Sequence, residues 1–310
     1  MSQRILVLGA GGVGGYFGGR LAEGGADVTF ALRPARRAQI DARGIVIHSD
    51  FFDDAAVRVN TVVADQIDGP YDLVILACKA YQLGDVMETI ASAMGDNTAV
   101  LPLLNGIKQL DLLSDRFGAE RVLGGTCYIG ARVDAETGDI VHFGDFHRIA
   151  YGEMDKSVTK RVKAFAALND SMKFDIDLRD DIMQAMWDKF AMLCAMSSVN
   201  TIARATVGEI LATPPGHAFL TAALAECRDT AAALGHTVSP AVIETYEKMF
   251  STQGSKFASS MLRDVQANNP TEGDHIIGDM VDRAQAEGLH TPILLAARAG
   301  LAVHEGRVTA

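Results

Sequence analysis

Cysteine is scarce and scattered. Among 310 residues there are four, Cys78, Cys127, Cys194 and Cys227, with no C-x-x-C and no metal-ligand spacing. That excludes a disulfide scaffold and a zinc module and predicts buried, reduced thiols. Positive charge is short too: 28 Lys plus Arg against 39 Asp plus Glu leave a formal charge of −11. An acidic surface disfavours nucleic acid and anionic membrane as partners, so any anion must be held by a few placed cations. No stretch reaches the ~18 uninterrupted apolar residues of a membrane span, and residues 1–12 lack a basic n-region and a small-residue cleavage site. The expectation is a cytoplasmic protein. A phosphate loop of the G-x-x-x-x-G-K-[ST] type is missing, and the eight histidines do not cluster, which argues against phosphoryl transfer and metal-dependent chemistry.

What is present is ordinary globular composition, 48% hydrophobic and 22% charged, at a length that suits about two domains of ~150 residues. Apolar runs at residues 4–8, 27–32, 72–78 and 98–104 alternate with helical stretches such as 14–23 and 83–94. Near-continuous apolar strands separated by helices predict a parallel sheet covered on both faces. Residues 45–48 and 56–60 read as a small β excursion, and residues 139–143 with 148–152 as an antiparallel hairpin at the sheet edge, with His142 and His147 exposed. After about residue 178 the texture becomes helical. Asp180-Asp181 caps a long helix to residue 203, and further helices fit 216–234, 239–249, 259–267, 272–287 and 292–305. The fold expected is α/β, a Rossmann-type doubly wound sheet over residues 1–177 followed by an all-helical domain over 178–310. The apolar helices after residue 216 are compatible with a homodimer and equally with a monomer.

The sharpest local signal is Gly9-Ala10-Gly11-Gly12-Val13-Gly14, directly after the first strand and opening a helix. In that context G-x-G-x-x-G is a dinucleotide loop: Gly9 for the tight turn, Gly11 for close approach of a pyrophosphate, Gly14 for helix–strand packing. Unpaired N–H groups of the helix then face the phosphates. An NAD site places an acid about 20 residues further on, at the end of the second strand. Here Arg33 stands there instead, with Arg36 and Arg37 behind it, and a guanidinium suits a 2′-phosphate. The reading is NADP(H), with the roles of Arg36 and Arg37 open.

Lys79 and Asn105 follow successive apolar strands, on the carboxyl side where open parallel sheets bind ligands. Lys189 lies within an apolar helical run, on one stripe with Leu193, Ser197 and Asn200. A lysine there either snorkels or pairs, or lines a cleft where burial would lower its pKa and make it a proton donor. Trp187 and the methionines of 183–196 read as packing, and Arg204 either pairs with Glu209 or shapes a cleft.

Taken together, Gly9–Gly14, Arg33, Lys79-Ala80-Tyr81-Gln82, Asn105-Gly106, Trp187-Asp188-Lys189 and Ser259-Ser260-Met261 with Glu272 resemble the ketopantoate reductase (2-dehydropantoate 2-reductase) family over nearly the whole chain. The resemblance implies a Rossmann domain and a helical domain with the active site in the cleft, and NADPH-dependent reduction of 2-dehydropantoate to pantoate in pantothenate biosynthesis. It implies Lys189 as general acid, with Glu272 orienting it and the nicotinamide ribose. Asn105 and Lys79 would contact cofactor or substrate, Ala131 would offer a backbone contact to the cofactor, and Ser260 would bind the substrate carboxylate. Ser197 takes a substrate-facing position. The chain departs from the family at Leu193, Ser197, Val207 and Phe257, where asparagines are common; Asn200 is a candidate to compensate. Those departures leave a different small 2-oxo acid as an alternative substrate. A non-catalytic NADPH-binding redox sensor is the alternative of another class.

Overall fold

The computed structural model describes residues 3–309. By their contacts these form two units, one holding residues up to 104 with 109–185, the other 105–108 with 186 onward. The strands are β1 (Arg4–Leu8), β2 (Asp27–Ala31), β3 (Ile45–Ser49), β4 (Ala55–Val57), β5 (Asn60–Val62), β6 (Leu73–Leu76), β7 (Ala99–Pro102), β8 (Leu123–Val133), β9 (Ile140–Glu153) and β10 (Asp175–Leu178). The first unit adds helices α1 (Gly12–Glu23), α2 (Pro34–Arg43), α3 (Leu83–Ile90), α4 (Lys108–Phe117) and α5 (Lys160–Ala166).

The first sheet runs β5-β2-β1-β6-β7, parallel throughout. Its strand order reverses between β1 and β6, which puts the glycine loop and the Lys79 segment on either side of the switch point. This is the expected Rossmann-type sheet. The second sheet is organised around β9, which pairs in parallel with β3 and β10 and along its length antiparallel with β8.

Helix α1 is pressed between the two sheets, and its glycines are spaced for that. A Cβ on Gly14 would meet Ala77 Cβ, just past the end of β6, at 2.8 Å, and one on Gly18 would run into the Phe30 ring of β2, both on the side of the first sheet. One residue round the helix, a Cβ on Gly15 would lie 2.6 Å from Ile140 Cδ1 and one on Gly19 3.1 Å from Ile45 Cγ2, both in the second. Residues i and i+4 share a helix face, so Gly14/Gly18 and Gly15/Gly19 form two bare stripes, one for each sheet. Tyr16, Phe17 and Leu21 fill the space between and are fully buried.

Three local expectations need correcting. Residues 139–152 are not a hairpin but one bent strand, β9. Gly144 takes φ +87°, and residues 144–146 loop out of the ladder where Gly130 faces Phe143 and Ile129 faces His147. The left-handed glycine absorbs the bulge and the chain continues in its direction. Its long partner β8 has no clear alternation in sequence, because Gly124, Gly125 and Gly130 stand where Ile182, Leu101 and Phe143 press on the strand. The excursion at 56–60 breaks after Val57, and Asn60–Val62 joins the first sheet beside β2. His142 and His147 are not exposed side chains: His142 is fully buried, and His147 stacks on Phe52 with centroids 3.7 Å apart. The Tyr16 hydroxyl and His147 Nδ1 are 2.6 Å apart.

The second unit is all helical: α6 (Ile182–Ala203), α7 (Val207–Leu211), α8 (Gly216–Ala233), α9 (Pro240–Met249), α10 (Ser260–Gln266), α11 (Asp279–Ala286) and α12 (Pro292–Val308). The division between units falls inside α6, after Ala185, rather than at 177/178. The physical reason is that the first turn of α6 packs on β8 and β9, where Ile182 covers Gly124 and Gly152. Asp181 accepts from the Gln184 N–H at 3.2 Å, as its place before the helix predicts. Polar ties fix the helices to one another. The Asp188 carboxylate accepts from the N–H and hydroxyl of Ser239, and Glu226 accepts from the N–H groups of Ile293 and Leu294 at the start of α12. Among the described residues no helix is long and apolar enough to cross a membrane.

Burial, with the neighbouring His142, pushes the His147 ring down from 6.5 to about 4. The unfolded chain therefore takes up protons below pH 6.5 that the folded chain refuses, and the stability present above that pH is lost as pH falls toward 4. His147→Asn keeps a hydrogen-bonding group without a titrating ring. It is expected to reduce the fall in urea midpoint between about pH 6.5 and pH 4.5; an unchanged slope contradicts this.

Candidate active site

The first unit carries Gly9–Gly14, Arg33, Lys79 and Ala131. Gly9 adopts φ +95° with its Cβ position 3.2 Å from the Ala77 carbonyl oxygen, so the turn after β1 is tight against the end of β6. At Gly12 a Cβ would sit 2.6 Å from the Ala131 carbonyl oxygen, which places that backbone group of β8 against the loop. Gly11 differs: no protein atom lies within 4 Å of where its Cβ would be. Its bareness serves no packing, and it keeps open the space at the start of α1. That helix has no side-chain cap and no acid in its first turn, so its leading N–H groups face the space without a competing anion. An open cradle of this kind fits the pyrophosphate of a dinucleotide.

The three arginines separate by their partners. Arg36 is half-buried. Its Nε and Nη2 donate to the Ala10 carbonyl at 3.2 and 3.0 Å, and its Nη1 to the Gly138 carbonyl at 2.7 Å and Gln39 Oε1 at 2.5 Å. Arg37 donates to Gln66 Oε1 at 2.5 Å and lies 3.3 Å from Asp41. Arg33, just before α2, is exposed and its guanidinium has no hydrogen bond or ion pair among the described residues. Arg36 is thus a brace for the glycine loop, and Arg33 is the one of the three free to meet a ligand. Lys79 is half-buried, two residues beyond the Ala77 that presses on Gly9 and Gly14. Its own N–H donates to Gln82 Oε1 at 3.3 Å, folding Lys79-Ala80-Tyr81-Gln82 into a single turn.

The second unit carries Asn105, Lys189, Ser197, Ser260 and Glu272. On α6 the half-buried residues around Lys189 are Ala185, Asp188, Met192 and Leu193, and from Cys194 to Asn200 every residue is buried. Asp188 is turned to Ser239. Ser197 Oγ, two turns beyond Lys189, is buried with no hydrogen-bond partner, an orphaned hydroxyl in a core where such groups are normally satisfied. Asn200 does not compensate for Leu193: its Nδ2 donates to the Ala205 carbonyl at 2.8 Å and its Oδ1 accepts from the Ser259 N–H at 3.0 Å. It instead holds the segment that presents Ser260, which is half-buried at the first position of α10. Val207 is buried, with its N–H bonded to the Phe257 carbonyl at 3.0 Å, while the Phe257 ring is 42% exposed. Arg204 does not pair with Glu209, because that carboxylate closes a capping box with Thr206.

Glu272 is buried and leads into one turn of π-helix, Asp274–Gly278. Residues 105–108 belong to this neighbourhood. His275 Cδ2 lies 3.4 Å from the Cβ position of Gly106, whose φ is +86°, and Lys108 Nζ is 3.7 Å from Asp274. Burial and the Lys108 charge push His275 down to about 4, so it packs as a neutral ring.

A family model described as "Ketopantoate reductase PanE/ApbA" matches residues 5–156, and one described as "Ketopantoate reductase PanE/ApbA C terminal" matches residues 181–302. The chain belongs to the ketopantoate reductase family. Relatives agree over its length. It is 33% identical over 303 residues, 98% of this chain and 99% of the other, to the uncharacterized oxidoreductase YkpB of Bacillus subtilis (strain 168). The crystal structure of 2-dehydropantoate 2-reductase from Geobacter metallireducens GS-15 superposes with TM-score 0.87 at 26% identity, covering 97% of this chain and 99% of that one. A ternary structure of D-mandelate dehydrogenase with NADH and anilino(oxo)acetate shares the fold at TM-score 0.85 and 23% identity, covering 99% of this chain and 100% of that one.

As a ketopantoate reductase family member the protein is an oxidoreductase acting on a CH–OH group. Three residues of this family member escape sequence reasoning: Arg36 as brace, Asn200 as staple and His275 as packing ring. Arg36 and Asn200 were visible as polar residues near the motifs, but only coordinates show that their donors and acceptors are spent on backbone. Nothing in the sequence marks His275. Asn200→Leu would leave the Ser259 N–H and the Ala205 carbonyl without partners. It is expected to lower the unfolding free energy by about 1–3 kcal/mol in urea titrations; a loss near zero would contradict the staple role.

Proposed function

We propose that the protein reduces a small 2-oxo acid to its 2-hydroxy acid with NADPH, with Lys189 as general acid and 2-dehydropantoate as the reference substrate. The observation that carries the reading is Lys189 itself, a half-buried lysine within a mainly apolar run of α6, in a chain that also holds an open dinucleotide cradle. Bound NADPH would supply the hydride. The chain's own residues do the rest. The Lys189 ammonium donates a proton to the substrate carbonyl oxygen as negative charge develops there, and is reprotonated from solvent. The Ser260 hydroxyl donates to the substrate carboxylate. Glu272 orients Lys189 and the ribose, while Asn105 and Lys79 position the reacting groups. Arg33 holds the 2′-phosphate, which a site with an acid at that position would repel. Leu193, Ser197, Val207 and Phe257 favour a second reading within the same chemistry, a 2-oxo acid other than 2-dehydropantoate.

NADPH oxidation with 2-dehydropantoate and a panel of 2-oxo acids tests the activity. Lys189→Ala is expected to lower kcat/KM by about 10²–10⁴-fold while NADPH binding persists; near-wild-type turnover removes Lys189 from the mechanism.

Two further variants test the cofactor reading. Arg33→Asp should shift preference from NADPH toward NADH, and no shift counts against the phosphate contact. Gly11→Ala meets no protein atom, so it should leave the melting temperature close to that of the parent while weakening NADPH binding in fluorescence titration. Unweakened binding would mean that the pyrophosphate lies elsewhere.

A further inference from the structure

We infer that the acid reduced here carries an apolar side chain, with no hydroxyl beside the carbon next to its ketone, and that Leu193 enforces this. The inference rests on the reading of Lys189 as the group that meets the carbonyl oxygen. A ligand at that ammonium touches what α6 leaves accessible around it; with the Asp188 carboxylate engaged by Ser239, the other half-buried side chains there are Ala185, Met192 and Leu193. Leu193, one turn on, is where a substrate side chain extending along the helix first arrives. The polar groups further along are out of play. Ser197 is eight residues on, about 12 Å along the axis at ~1.5 Å per residue, and its hydroxyl is sealed from solvent. Asn200, on the same line as Lys189, has its side-chain amide committed to Ala205 and Ser259.

The segment that carries Ser260 offers the same chemistry. The segment that delivers Ser260 is pinned by Asn200 and by the bond between Val207 and Phe257, and its exposed ring is that of Phe257. Ser260 supplies a donor for a carboxylate, and the accessible side chains of Phe257 and Leu193 offer the rest of the molecule an aromatic ring and an aliphatic chain. A substrate hydroxyl placed there gives up water and finds no partner, a loss worth about tenfold or more in kcat/KM. A methyl in the same place gains contact with Leu193 instead.

A matched pair of acids isolates that one oxygen: 2-dehydropantoate and its deoxy counterpart, 3,3-dimethyl-2-oxobutanoate, each assayed with NADPH. The deoxy acid is expected to be preferred by about tenfold or more in kcat/KM. Leu193→Asn should narrow or invert that ratio, chiefly through KM for the hydroxylated acid, with NADPH affinity unchanged. A wild-type preference for 2-dehydropantoate overturns the inference and leaves the reductase reading standing. A Leu193→Asn variant that alters both acids equally also overturns it. No NADPH oxidation with either acid overturns the inference together with the reading on which it rests.

Discussion

One helix squeezed between two sheets sets the geometry on which the nucleotide end of the molecule depends. Each glycine inside a helix costs about 1 kcal/mol relative to alanine, and α1 carries Gly14, Gly15, Gly18 and Gly19 within two turns. The cost is offset because the bare stripes let both sheets approach the helix backbone, burying Phe30, Ile45 and Ile140 against it. A helix held on two sides cannot tilt to suit a ligand. Its amino end, with unpaired N–H groups, is therefore fixed beside the turn at Gly9 by the same contacts that build the core.

In the helical unit the fixing is done by polar side chains. Asn200 binds two backbone groups and holds the approach to Ser260, and Asp188, the residue that precedes Lys189, pins the start of α9. Glu226 does the same for α12. None of these need touch a substrate. They restrict the segments that carry the candidate site groups to one arrangement, which is what an apolar helical core, with its many equivalent packings, does not do unaided.

The parallel strands and most helices were legible, because continuous apolar runs and capped periodic stretches report burial directly. The glycine loop and Arg33 stand out in the sequence for another reason: each sits at a position where a stated chemistry asks for that residue type. What was not legible came from contacts distant in sequence. β8 hid behind glycines whose neighbours, Ile182 and Phe143, are far away or across the ladder. The bulge at Gly144 looks like a turn, since a left-handed glycine between two β-rich stretches is the signature of both. His142 and His147 read as surface residues until Tyr16 and Phe52 are seen to enclose them. For Arg36 and Arg37 the residue type was plain and the partner was not.

The engagement of Arg36 has a consequence for how the nucleotide is taken up. A glycine-rich turn is the most conformationally free kind of chain, and freezing it on association would subtract from affinity. With four hydrogen bonds from one guanidinium tethering the Ala10 carbonyl to residues 39 and 138, that freezing happens when the protein folds. A dinucleotide docking there would meet a preset rim, and the entropy of the loop is charged to the stability of the domain rather than to the encounter.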